Sequence, residues 1–313
     1  MPFDLASKPF GATLLALGDR YPQMIVLDAD LQRATETEAF ARRFPDRYFN
    51  VGVAEANMVG ISAGLALSGK TVFCGTFACF ISQRVCDQVV ISVAYTGANV
   101  KLCGFEPGVY SGGNGATHQS VMDLALMRAI PGMSVFDPGD ATELTAIMEY
   151  QAGHPGPAYI RAPRGKAPII FDPLSFRYQP GKATCLREGK DLTLIACGIM
   201  LERAVQAAEM LVSQGISARI LSMPGIKPLD EESILAAASD TGCIVTAENH
   251  NILGGLGSAV AEVVTGSLPV PVIRVGIRDR FGEVGTADWL AERFQMAPAH
   301  IVAAALRALK LKR

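Results

Sequence analysis

The sequence predicts an α/β protein of two domains, each a mainly parallel sheet flanked by helices. Short apolar runs alternate with longer stretches at helical spacing from the start of the chain to about residue 170. The alternation stops between Phe171 and Asp191 and then restarts. Strand–helix alternation of this kind is the signature of parallel sheets joined by helical crossovers. At about 100–200 residues per domain, a chain of 313 residues accommodates two such units, each with its own core.

In the first half, residues 13–20 carry apolar positions at helical spacing, and Met24–Leu27 is a buried-type strand ending in Asp28-Ala29-Asp30. Residues 54–67 form a small-residue helix in which Gly60 and Gly64, four apart, allow close backbone packing. Residues 71–74 are a strand and 80–94 a long helix. Residues 100–104 are a third strand that runs into a glycine-rich loop. Strands over 133–136 and 158–161, with a helix over 141–151 between them, complete the sheet. Pro173, Pro180, Gly181 and Gly189 mark a linker. Strands then follow at 192–196, 218–223, 242–247 and 270–275, with helices at 201–214, 234–239, 257–265 and 298–309. The expected boundaries are 1–170, a linker over 171–190, and 191–313.

Composition narrows the functional classes. Half the residues are hydrophobic and 19% are charged, as in a folded globular protein. A net charge of −2 gives no bulk field for nucleic acid or an anionic membrane. The longest weakly polar stretch, 58–67, is too short for a bilayer, which needs about 20 residues. The N-terminus lacks a basic region followed by an apolar core, so no signal peptide is expected. The seven cysteines form no CxxC pair, and most sit in apolar runs, pointing to reduced, buried thiols in a cytoplasmic protein. The four histidines are scattered, and no protein-built metal site is expected.

Several segments are candidates for chemistry. Glu55 opens an otherwise apolar helix, so it is either a first-turn carboxylate favoured by the helix dipole or a buried acid held partly protonated. Phe77 and Phe80 lie three apart where strand passes to helix, as core or as a platform for a flat ring. Arg84 and Asp87 share a helix face and are expected to pair with each other or with a partner chain. Three glycines precede Thr117-His118-Gln119, presenting an imidazole where α/β proteins bind ligands. Arg161 and Arg164 flank Pro163 at a strand end and suit an anion. The glycine-rich 252–258 segment precedes a helix, and tight packing is favoured there over phosphate binding.

Taken together and in order, these segments resemble the C-terminal half of transketolases. The motifs are Phe49 to Met58, Thr76-Phe77 to Gln88, Gly115-Ala116-Thr117-His118-Gln119, Gly225 to Asp230, and Ala247-Glu248-Asn249-His250 with Gly254 to Gly257. The resemblance implies a domain for the aminopyrimidine of thiamine diphosphate over 1–170 and a transketolase C-terminal domain over 191–313. It implies that Glu55 hydrogen-bonds the pyrimidine N1′, that Phe80 stacks on that ring, and that Phe77 and Gln83 line the same pocket. His118 would face the reacting carbon, with Asn114 and Arg164 on the substrate.

The resemblance also identifies what lies elsewhere. The family's Gly-Asp-Gly…Asn motif, which holds Mg2+ and the cofactor diphosphate, is not in this sequence. The chain therefore looks like the second subunit of a split transketolase, working with an N-terminal subunit in an α2β2 heterotetramer with a self-dimerised core. Where the family has an acidic pair before the Thr-His-Gln, this sequence has Gly113 and Asn114. Of the usual phosphate contacts only Arg164 remains, and Glu106 would repel a phosphate. A modified or sulfonated ketose donor is accordingly as plausible as a pentose phosphate. The competing readings are the β subunit of a 2-oxo acid dehydrogenase E1 component and a catalytically silent paralogue that scaffolds a partner. 1-Deoxyxylulose-5-phosphate synthase shares the Pro163-Arg164-Gly165 turn but normally carries both halves in one chain.

Overall fold

A computed structural model describes residues Phe3–Lys312. The chain divides into two compact units: residues up to Pro107 with Leu126–Tyr178, and Gly108–Ala125 with the residues from Gln179 onward. Each unit is an α/β layer structure built on a mainly parallel sheet. No helix among the described residues is long and apolar enough to cross a membrane.

In the first unit, parallel strands lie in the order Ser134–Phe136, Ala158–Ala162, Val100–Phe105, Thr71–Phe77, Met24–Asp28 and Tyr48–Asn50. The central strands are buried along their whole length, as parallel strands covered on both faces require. Helix Pro9–Arg20 starts earlier than its spacing suggests, because Pro9 sits in its first turn, where no N–H is needed. It buries Phe10, Leu14 and Leu17 against a core that includes Phe40, Phe73, Phe105 and Ile147. A short antiparallel pair, Leu5–Ser7 with Lys166–Pro168, ties the start of this unit to the turn after its last long strand.

Two features of this unit depart from the sequence reading. The stretch expected as one helix over 80–94 is wound in wide turns over Phe80–Arg84 and Val89–Ala94, with a short tighter piece at Cys86–Gln88. Val85, at φ −120° and ψ 18°, breaks the helical path between them. Wide turns of this kind recur at functional sites. The second feature is helix Glu55–Leu67, where a Cβ at Gly60 or Gly64 would meet nothing within 4 Å among the described residues. Its small-residue stripe therefore faces away from the chain's own core, beside the exposed Val53, Ile61 and Leu67.

The second unit's sheet runs Val272–Ile277, Ile244–Asn251, Leu192–Ala196, Ala218–Ser222 and Thr184–Arg187, parallel except for the last strand. That antiparallel edge strand lies inside the expected linker; its partial exposure gives no apolar run to read. Helix Glu231–Thr241 extends beyond its predicted range because Asp230 caps it, accepting Ser233 N–H at 3.2 Å, while Gly242 closes it at φ +65°. Helix Met200–Val212 buries Met200, Leu201, Ala204 and Leu211, and helix Pro298–Leu311 buries Ile301 and Ala305. The strand predicted to end at Ala247 continues through Glu248, Asn249 and His250, all buried. Five cysteines are buried, as their apolar runs predict, while Cys86 is partly buried and Cys185 is exposed.

Candidate functional site

Glu55 is the first residue of its helix and only 4% exposed. Its Oε1 accepts a hydrogen bond from Arg84 Nη1 at 2.9 Å. Arg84 thus pairs across to the neighbouring helix and not with Asp87 on its own, because the break at Val85 removes the regular three-residue register that would align them. The guanidinium lies 4.0 Å from the centroid of the Phe80 ring, a cation–π contact. Phe80 in turn meets Phe77 edge-on, with centroids 5.8 Å apart and planes at 61°. Phe77 ends its strand and is buried, Phe80 is half-buried, and Gln83 is exposed one residue before Arg84. The sequence proposes Glu55, Phe77, Phe80 and Gln83 for one pocket and pairs Arg84 with Asp87 or a partner chain; in the structure Arg84 meets Glu55 instead. No signal in a linear pattern links residues 55 and 84.

These residues fit an aminopyrimidine by their chemistry. A sequestered carboxyl group can exchange a hydrogen bond with a ring nitrogen, and a half-buried aromatic ring offers a flat apolar face. The same unit holds Arg164, exposed just after strand Ala158–Ala162. Its Nη1 lies 3.3 Å from Glu106 Oε1, so the two groups read separately as anion-attracting and anion-repelling are a pair. Glu106 adopts φ +51°, and its Oε2 is buried without a hydrogen-bond partner among the described residues.

Asn114 and His118 belong to the second unit, on the loop Gly108–Ala125. The loop is closed at its base by a two-way bridge: Gly108 N–H donates to Ser120 O at 2.9 Å, and Ser120 N–H donates to Gly108 O at 3.1 Å. Gln119 is buried, and its Nε2 donates to Val109 O and Glu283 O at 2.9 and 3.0 Å. Asn114 is exposed at the tip, and His118 is half-buried. His118 Nδ1 shares a hydrogen bond of 2.9 Å with Thr117 Oγ1. The glycine-rich 252–258 segment opens helix Leu256–Ser267, and a side-chain carboxyl group of the chain already sits there. Glu248 accepts Leu256 N–H at 2.7 Å and Gly257 N–H at 2.8 Å. A Cβ on Gly255 would lie 2.0 Å from Glu248 Oε2, so that glycine is required by close packing.

The class of protein to which these parallel α/β units and this site belong is given by comparison with known families. The family described as "Transketolase, pyrimidine binding domain" matches residues 6–169, and "Transketolase, C-terminal domain" matches residues 181–301. A 6-deoxy-6-sulfo-D-fructose transketolase subunit of Clostridium sp. (strain MSTE9) is 48% identical over 93% of this chain and 90% of its own. An apulose-4-phosphate transketolase subunit of Phocaeicola vulgatus is 41% identical, covering 87% of each chain. A solved structure described as a split gene transketolase, inactive beta4 tetramer, superposes with a TM-score of 0.91 at 45% identity, over 97% of this chain and 98% of its own. The chain belongs to the transketolase family, in its split form, as the C-terminal subunit of a thiamine diphosphate-dependent transferase. These relatives favour that reading over a 2-oxo acid dehydrogenase subunit.

Proposed function

We propose that this chain, with an N-terminal partner subunit, moves a two-carbon ketol unit from a modified ketose to an aldose. The buried Glu55 beside the Phe77–Phe80 pair is the observation that carries the assignment of the cofactor pocket. In this reading residues 1–170 are the pyrimidine-binding domain, 171–190 the linker and 191–313 the C-terminal domain. Thiamine diphosphate supplies the electron sink for cleaving a carbon–carbon bond next to a carbonyl. Glu55 holds the pyrimidine end by a hydrogen bond and exchanges a proton there. Arg84 fixes the carboxylate in place, Phe80 stacks and Phe77 backs it, and Gln83 lies along the same pocket wall. His118 moves protons through Nε2, since Thr117 engages Nδ1. Asn114 reads a donor hydroxyl, and Arg164 contacts the donor's anionic end.

The partner would hold Mg2+ and the diphosphate through a Gly-Asp-Gly…Asn motif, in a cytoplasmic α2β2 assembly. The open face of helix Glu55–Leu67, with exposed Ile91 and Tyr95 on the adjoining helical stretch, supports a partner there. The sugars named for two relatives, 6-deoxy-6-sulfo-D-fructose and apulose 4-phosphate, support a modified ketose as donor. The Arg164–Glu106 pair supports it too, because the arginine's charge is already partly answered. Affinity capture of the chain from its native extract, followed by a donor screen on the captured complex, tests the proposal. The expected result is a stoichiometric partner carrying the motif and transfer from 6-deoxy-6-sulfo-D-fructose or apulose 4-phosphate in preference to a pentose phosphate. A complex that contains both subunits, thiamine diphosphate and Mg2+ but transfers from no ketose would overturn it.

A further inference from the structure

We propose that Asn249, His250 and Asn251 of the second unit are positioning residues for the loop that carries Asn114 and His118. The inference rests on the catalytic role proposed for that loop.

The loop lies within the stretch matched to the pyrimidine-binding domain, yet it clusters with the C-terminal unit. Three consecutive residues at the end of one buried strand hold it at three points. Asn249 Oδ1 accepts Val109 N–H at 3.1 Å. His250 Nε2 accepts Ala125 N–H at 3.3 Å, and its Nδ1 donates to Asn251 O at 2.7 Å, which fixes one neutral tautomer. Asn251 N–H donates to Val121 O at 2.9 Å. The three contacts grip both ends of the loop, at Val109 and at Val121 to Ala125, with Asn114 and His118 on the arc between them. Asn249 and His250 are buried, so their hydrogen bonds have no competing water.

The fit is close as well as polar. A Cβ on Gly108 would lie 2.1 Å from the Asn249 side chain, so the loop's first residue is a glycine to admit that contact. A second segment presses on the tip. Gly285 N–H donates to Gly112 O at 3.2 Å, and a Cβ on Gly112 would lie 1.9 Å from Gly285 O. Glycine-rich loops are mobile unless tied down, and a misplacement of about 1 Å at a reacting group costs on the order of 100-fold in rate. A buried three-residue clamp on such a loop is therefore a device for setting His118 and Asn114, and it gives the C-terminal domain a part in the reaction.

The test uses the full chain in complex with its captured partner and compares wild type with Asn249→Ala, Asn249→Asp and Thr241→Ala. Asn249→Asp keeps the oxygen acceptor. Thr241→Ala removes the buried Thr193–Thr241 hydrogen bond of the same unit and leaves the clamp alone. Amide hydrogen exchange across residues 108–125, read without substrate, is expected to rise about tenfold in Asn249→Ala, to recover in Asn249→Asp, and to stay at the wild-type value in Thr241→Ala. In ketol transfer Asn249→Ala is expected to lose about tenfold or more in kcat, with thiamine diphosphate affinity unchanged. Unchanged loop exchange in Asn249→Ala overturns the clamp, as does faster exchange with full kcat. Equal effects in Thr241→Ala also overturn it, by reducing it to general destabilisation. If the wild-type complex transfers no ketol unit, the functional reading fails by itself, and loop exchange still decides whether the clamp exists.

Discussion

At the scale of single residues, the contact between Glu55 and Arg84 joins two groups of very different exposure. The carboxylate side chain is 4% exposed and the arginine 49%, so water screens the cation while the anion depends on it. Replacing Arg84 by Met leaves a buried carboxylate without its charged donor, and thiamine diphosphate affinity of the assembled enzyme is expected to fall about tenfold in a fluorescence titration. Glu55→Ala removes the group itself. Turnover is then expected to drop about 10³-fold or more, with the circular dichroism spectrum unchanged. Wild-type rates in that variant would remove Glu55 from the site. The burial of Glu55 was legible in the sequence because the residues on both sides of it are apolar. Arg84 was expected to pair with Asp87 or a partner chain instead, since Glu55 is 29 residues away and meets it only when strand Thr71–Phe77 places the two helical stretches side by side.

At the scale of elements, the first unit's sheet buries a lysine. Lys101, in the central strand Val100–Phe105, is fully enclosed, and its Nζ donates to the carbonyls of His154 and Gly156 at 2.8 and 2.6 Å. Burial lowers its pKa from 10.5 to about 7. Between those values the unfolded chain holds a proton that the folded one has released, so this group makes stability rise with pH across that window. Urea unfolding of Lys101→Met against wild type, from pH 7 to pH 9, is expected to show wild type gaining on the variant as pH rises; a constant difference would contradict the burial effect. The element boundaries show which signals a sequence carries. Strand Leu192–Ala196 stands where its apolar run predicts it. Strand Ile244–Asn251 runs past its apolar part because Glu248, Asn249 and His250 find partners inside the unit, and polar residues satisfied internally break the pattern without ending the strand.

At the scale of the whole molecule, helix Glu55–Leu67 is apolar around its circumference, yet one face has no neighbour at Gly60 or Gly64 among the described residues. Such a face belongs to an assembly. Gly64→Trp is expected to leave the isolated chain folded, because a Cβ there meets nothing within 4 Å among the described residues, and to block association with the partner in size-exclusion chromatography. Normal assembly of that variant would place the interface elsewhere.

The sequence by itself determined the two-unit α/β plan, because parallel strands buried on both faces leave local, readable patterns, and its ordered motifs carried the resemblance to the family and to the proposed pocket. By resemblance to that family, Gly113 and Asn114 stand where an acidic pair is usual and Glu106 stands near a usual phosphate contact, which is the ground for proposing a modified donor. Only the tertiary structure decided that Arg84 answers Glu55, that Glu106 answers Arg164, and that the His118 loop is held by Asn249 to Asn251. Each of these joins residues far apart in the chain, and such pairings are fixed by how strands register and cross over, which no local spacing encodes.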